Sequence, residues 1–258
     1  MTVGLARIVA ELDALLDVAS VPDYPNALNG LQFAHRGPVR KVATAVDASH
    51  RTISGAIGAD ANLLVVHHGL FWSGVTPITH HHYERIRLLV EHDVAVYSAH
   101  LPLDAHATIG NSRLLADRLG LTVRDGFATV RGVTCGVQGD ADMPTSDLLE
   151  QARAFAAVHG GWATATAMDA ERRTRRWGIC SGASVDPATL AEARTAGIDT
   201  LIVGEGPHWS AVEAPERDLV IIYAGHYATE ALGVMALGDH LGRTFGIPHD
   251  FIAAPTGL

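Results

Sequence analysis

Histidine and carboxylate recur in this chain at the ends of apolar runs, in spacings that suit the gripping of a metal ion. Val94-Ala95-Val96-Tyr97 leads to His100-Leu101-Pro102-Leu103-Asp104, and Leu219-Val220-Ile221-Ile222 leads to His226-Tyr227-Ala228-Thr229-Glu230. A third run, Leu63-Leu64-Val65-Val66, ends in His67-His68 followed by Gly69. Imidazole suits zinc, iron, manganese and nickel, and carboxylate widens the set toward harder ions. A centre gathered from several strand ends serves chemistry more often than folding.

Successive side chains of a strand point to opposite faces. Adjacent His67 and His68 are therefore expected to serve two ions rather than one, with Gly69 letting the chain turn away. Two ions about 3.5–4 Å apart are the usual spacing of a hydrolytic pair. Asp104 is the natural bridge, because a carboxylate offers two oxygens. His226 and Glu230 stand four apart at the start of a helical pattern and face the same way. These five residues are the expected ligands of two divalent cations per chain. His100 is either a further ligand, a donor that orients Asp104, or a carrier of protons. Glu205 and His208 lie on the turn Gly204-Glu205-Gly206-Pro207-His208. From there Glu205 could move a proton and His208 could contact a substrate. The run His80-His81-His82 has no carboxylate nearby and is expected in an exposed loop, and His106 is expected to be structural.

The elements that must position these groups alternate along the chain. Strand patterns cover 41–47, 63–67, 94–99, 129–138, 176–181, 200–203 and 219–224. Helical patterns cover 3–17, 49–58, 83–92, 111–119, 145–158, 187–196 and 226–241. The helix at Pro187 is well punctuated, with Asp186 as cap, proline at the first helical position and Gly197 as the stop. Such alternation predicts an α/β fold. The helix–strand–helix–strand order over 49–100 returns over 187–226, and Gly58-Ala59-Asp60 is echoed by Gly197-Ile198-Asp199. The chain is therefore read as a duplication of two α/β repeats, 1–125 and 126–258, with the metal site in the cleft between them. In such sheets ligands collect at the carboxyl ends of strands, where all the candidate residues fall.

Composition narrows the function classes. The chain has 258 residues, 48% of them hydrophobic and 18% charged, and a formal net charge of −9. A nucleic-acid partner is not expected, since that requires clustered Lys and Arg. The one dense basic run, Arg172-Arg173 with Arg175-Arg176, is read as a solvated loop. No apolar stretch approaches the roughly 20 residues of a membrane helix, and no signal-peptide pattern opens the chain. Cys135 and Cys180 stand far apart in strand-like runs, as buried thiols do. These features are expected of a soluble cytoplasmic protein that acts on a small molecule.

Three segments carry a family resemblance: Leu64-Val65-Val66-His67-His68-Gly69-Leu70-Phe71-Trp72; Ala99-His100-Leu101-Pro102-Leu103-Asp104-Ala105-His106 with Gly110-Asn111; and Ala224-Gly225-His226-Tyr227-Ala228-Thr229-Glu230. Together with Asn29-Gly30-Leu31-Gln32 they resemble the signatures of the NGG-one-interacting-factor-three-like family. Its members are also called dinuclear metal-centre hexameric proteins or GTP cyclohydrolase 1 type 2 homologues. The resemblance implies intertwined α/β repeats with mixed sheets, a homohexameric ring and a two-metal site on His67, His68, Asp104, His226 and Glu230. The segment 123–175 is short, so the chain resembles members without an inserted domain. The implied reaction is hydrolytic opening of the guanine imidazole ring of GTP. Two other readings remain open at this point: a metal-binding assembly or regulatory partner without turnover, and a hydrolase of another phosphorylated or heterocyclic small molecule.

Overall fold

Short apolar runs rich in Val, Ile and Leu form strands buried on both faces, the signature of parallel sheets covered by helices. In the computed structural model, which describes residues 2–258, these strands fall into two compact units. One contains residues 1–103 and 233–254, and the other contains 104–232 and 255–258.

The first unit is built on a five-stranded sheet in the order His249–Phe251, Val42–Asp47, Leu63–His68, Ala95–Ser98 and Gly30–Phe33. The first four strands run parallel and the last pairs antiparallel. Helices His50–Gly58 and His80–Glu91 connect the parallel strands. Ser49 opens the first of these helices with a capping box, exchanging bonds with Thr52. Ala43, Ala45, Ile53, Leu64, Val66, Leu89 and Val96 form the core beneath them.

The second unit carries a six-stranded sheet in the order Asp125–Val130, Val133–Pro144, Arg173–Cys180, Thr200–Val203, Val220–Tyr223 and Thr164–Ala165. Its central pairs, Arg173–Cys180 with Thr200–Val203 and Thr200–Val203 with Val220–Tyr223, are parallel. The connecting helices are Pro187–Ala196 and His208–Glu216. The Thr189 N–H donates to the Asp186 carboxylate at 2.7 Å, and Gly197 closes the same helix at φ 69°. The fully buried Trp177 centres a core with Leu115, Leu148, Ile202 and Ile222. Each unit thus repeats strand, helix, strand, helix, strand, and the α/β duplication read from the sequence is present. The long helix His226–Phe245 starts in the second unit, and its residues from Gly233 onward belong to the first.

Three local expectations need correction. His80-His81-His82 is the first turn of helix His80–Glu91, not a loop, and His82 is buried with its Nδ1 3.1 Å from the Thr76 hydroxyl. Arg173, Arg175 and Arg176 lie on a strand, where Arg173 and Arg176 pair with Asp142 and Asp140. Facing acids on the neighbouring strand turned that run into a ladder of exposed ion pairs rather than a loop. Finally, His67 and His68 do not diverge as strand neighbours should, as described below. Cys135 and Cys180 are buried and form no disulfide among the described residues, and no helix among them is long and apolar enough to cross a membrane.

Candidate metal centre

In the first unit the strand end carries its two histidines into contact with a third. Strand Leu63–His68 leaves His67 fully buried, and its Nδ1 lies 2.8 Å from the Ala99 carbonyl oxygen just past the next strand. A carbonyl can only accept, so Nδ1 is the donor in this bond. His68 is paired in register with Asp47 of the adjacent strand, and its Nδ1 stands 2.9 Å from that carboxylate. His100 Nδ1 lies 2.9 and 3.1 Å from the two oxygens of Asp23. Each ring has therefore committed Nδ1 to an acceptor, the arrangement that fixes metal-ligating histidines.

The ring centroids lie 4.8 Å apart for His67 and His68 and 4.9 Å apart for His67 and His100. All three residues offer ligand atoms within 4.8 Å of one another. The expected divergence of adjacent strand residues fails because His68 is the last residue of its strand and leans toward the ring cluster. Trp72 packs against the group, edge-on to His100 with ring centroids 4.5 Å apart and tilted against His68 at 4.7 Å.

The support for His100 was not legible in its own motif. Asn29 accepts the His100 N–H at 2.7 Å and donates to Asp23 at 2.7 Å, while Asp23 also accepts the Leu101 N–H at 2.9 Å. Burial pushes the Asp23 carboxyl upward, but hydrogen bonding and attraction from His100, with Asn29 and the Tyr24 N–H, leave it below the ordinary range. Gln32 donates to the carbonyls of Ala27 and Leu28 and accepts the Leu70 N–H at 2.7 Å, clamping the loop that follows His68. The Asn29-Gly30-Leu31-Gln32 segment is thus a brace for the histidines.

The second unit supplies a different cluster. Asp104 ends the short helix Leu101–Asp104, and its Oδ1 accepts from Asn111 Nδ2 at 2.9 Å and from Ser181 Oγ at 3.4 Å. Asn111 and Ser181 help to orient it. His226 opens its helix directly after the Val220–Tyr223 strand. Its Nδ1 is 2.7 Å from Glu205 Oε1 and its Nε2 is 3.0 Å from Glu230 Oε2. Burial alone would lower the His226 pKa, but Glu230 and then Glu205 outweigh it and raise it to about 9. The i, i+4 spacing does bring His226 and Glu230 together, and Glu205 holds the far nitrogen of that imidazole.

Close backbone approach shapes this second cluster. The N–H groups of Gly204 and Glu205 donate to the Gly182 carbonyl at 2.9 and 3.0 Å. A Cβ on Gly204 would meet that oxygen at 2.7 Å, so only glycine fits. Thr229 Oγ1 accepts the Gly182 N–H at 3.1 Å, pinning the strand end against the ligand-bearing helix. Burial, opposed by the bond with Ser184 and aided by the charges of Asp104 and Glu230, pushes the Cys180 thiol up to about 12. His208 is exposed at the start of its helix, and its ring lines a cavity with Glu205. His106 has a structural role, its Nδ1 accepting the Thr108 and Ile109 N–H groups at 3.3 Å.

Fold and site together define a duplicated α/β protein with buried histidine and glutamate groups that could bind a metal. Nitrogen and oxygen donors, each braced by a neighbour, fit a borderline divalent ion. The chain belongs to the Duf34/NIF3 (NGG1p interacting factor 3) family, whose model matches residues 3–256. It is 40% identical over 248 residues to a Halobacterium salinarum protein named GTP cyclohydrolase 1 type 2 homolog, covering 94% of this chain and 96% of that one. A Deinococcus radiodurans protein of the same name is 36% identical over 262 residues, covering 99% and 95%. The crystal structure of TTHA1606 from Thermus thermophilus superposes with a TM-score of 0.80 at 34% identity, covering 98% of this chain and 99% of that one.

Proposed function

We propose that this chain is a metal-dependent hydrolase with a pair of divalent cations, acting on GTP by hydrolytic opening of the guanine imidazole ring. The reading is carried by one observation. His67, His68 and His100 each give Nδ1 to a protein acceptor while offering ligand atoms within 4.8 Å of each other. The name borne by its relatives supplies the reaction. His67, His68, Asp104, His226 and Glu230 would hold the ions, which are zinc, iron, manganese or nickel. Ions bound there would lower the pKa of water toward neutrality and polarise the bond under attack.

The remaining work falls to side chains. His100, held through Nδ1 by Asp23, is placed to take a proton from the attacking water and pass it to the ring nitrogen that leaves when water adds at C8. Glu205 keeps His226 turned so that its Nε2 stays beside Glu230. Trp72 covers the His68 and His100 rings and keeps bulk water from them. The assembly proposed with this activity is a homohexamer, which light scattering measures.

Elemental analysis after metal-supplemented expression is expected to give close to two ions per chain. Incubation with GTP should then give a product one water heavier, and His226→Ala should abolish it. Stoichiometric metal without turnover of GTP or of other phosphorylated heterocycles would replace the hydrolase with a metal-binding regulatory protein. Absence of metal would remove both.

A further inference from the structure

Beside the His226 cluster, wholly within the second unit, lies a cavity of about 270 Å³ whose walls include Trp162, Thr164, Glu205, Pro207, His208 and Tyr223. Its position follows from the sheet. The edge strand Thr164–Ala165 pairs Thr164 directly with Tyr223, so the preceding Trp162 is delivered to the carboxyl end of the parallel strands. Trp162 is 61% exposed, an unusual state for the largest apolar side chain.

The polar groups in the walls have a defined sense. Ser210 Oγ donates to the Pro207 carbonyl at 2.6 Å, which uses its only proton. The Tyr223 hydroxyl, 2.7 Å from Ser210 Oγ, must then donate to it and present its own oxygen as an acceptor. Glu205 gives Oε1 to His226 and is otherwise an acceptor. No Lys or Arg lines the cavity among the described residues. An anion such as phosphate finds no lysine or arginine here and faces the Glu205 carboxylate, whereas a flat ring with N–H groups finds an aromatic face and acceptors.

We infer that this cavity binds a planar nitrogen heterocycle, stacked on Trp162 with its N–H edge toward Glu205 and the Tyr223 oxygen. Any phosphates of the ligand lie outside it. The inference deepens the proposed hydrolase reading, on which the choice of guanine as the natural ring rests. Trp162 and Tyr223 become specificity determinants, and Glu205 gains a second duty beyond holding His226.

The test is calorimetric titration of full-length, metal-stripped protein with guanosine and, separately, with ribose 5-phosphate. Guanosine is expected to bind and ribose 5-phosphate to leave that binding uncontested. Trp162→Ala should weaken guanosine by about tenfold to a hundredfold, the usual worth of a base stacked on an aromatic ring. Trp162→Phe, which keeps a stacking face, should stay within about threefold. Unchanged thermal unfolding of both variants would confirm that an exposed side chain was removed cleanly. Equal affinity in Trp162→Ala, or no binding of guanosine to the parent chain, overturns the inference. The two readings part cleanly. Stacking on Trp162 without GTP hydrolysis by the metal-loaded protein leaves the cavity and removes the hydrolase. Hydrolysis with KM unchanged in Trp162→Ala does the reverse.

Discussion

In the first unit three imidazoles each commit one nitrogen to the protein, whereas in the second a single imidazole commits both nitrogens to carboxylates. In the first cluster a backbone carbonyl and two aspartates hold the Nδ1 side of each ring and so fix how the rings are turned before any cation arrives. The second is an ion pair in the absence of metal, since a His226 pKa of about 9 keeps that ring protonated at neutral pH. A cation binding there must expel a proton, and one binding to the first cluster meets rings already held in place. The same donor types, placed at equivalent strand ends of a duplicated fold, thus differ in readiness. The first unit is expected to load first.

Removing a ligand tests that contrast most forcefully. Asp104→Ala is expected to lose both ions if, as proposed, its carboxylate would help to hold each of them, while His67→Ala should lose the ion of the first cluster. Metal content after gel filtration reads both. Retention of two ions per chain in His67→Ala would break the comparison, since the fully buried His67 is the pivot of the triple cluster.

A subtler cut removes the braces instead of the ligands. Asp23→Asn keeps the size of the side chain but takes away the charge that faces His100 Nδ1. Loss of such a partner costs about tenfold to a hundredfold in metal affinity, measurable by competition with a chromogenic chelator. Glu205→Gln is the counterpart in the second unit. Glu205 is one of the groups that raise the His226 pKa, so its neutralisation should lower that value in the metal-free protein. Following the imidazole by NMR titration checks the direction. An unchanged or raised pKa would mean that Glu230 alone sets the state of the ring.

The duplicated strand–helix order and the placing of the candidate histidines and carboxylates at strand ends are legible in the sequence because both rest on local patterns. Apolar runs of four to six residues mark buried strands, and His-x-x-x-Asp/Glu at their ends marks the carboxyl edge. The braces were not legible in the same way. Asp23 reaches His100 across 77 positions, and Asp47 reaches His68 across 21 through strand register. Nothing in the neighbourhood of either aspartate announces its partner. Asn29 and Gln32 were visible only as a motif, and their work on the His100 backbone and the loop after His68 emerges from the fold. The edge strands Gly30–Phe33, Thr164–Ala165 and His249–Phe251 escaped notice because two to four residues carry too little periodicity to register. The His80 run was misplaced for a related reason: helix His80–Glu91 receives no side-chain cap from Thr79, so its start carries no signal.

The finest comparison adds one methyl group beside each cluster. Gly69 follows His68, and a Cβ there would meet the Gln32 amide at 2.2 Å. Gly182 follows the strand Arg173–Cys180 by two residues at φ +67°, and a Cβ there would meet Glu230 Oε1 at 2.2 Å. In the first case the methyl displaces a brace, breaking the bonds from Gln32 to Ala27, Leu28 and Leu70 while the histidines keep their own Nδ1 partners. In the second it displaces the ligand itself and adds the left-handed strain of about 1–2 kcal/mol that any L side chain carries. Gly69→Ala should therefore lower the unfolding free energy by about 1–2 kcal/mol with metal content nearly intact. Gly182→Ala should lose metal from the second cluster as well as stability. Chemical denaturation of the stripped proteins, set beside chelator competition of the loaded ones, separates the two effects. If Gly69→Ala sheds metal as readily as Gly182→Ala, the first cluster is no more preset than the second, and the order of loading loses its physical basis.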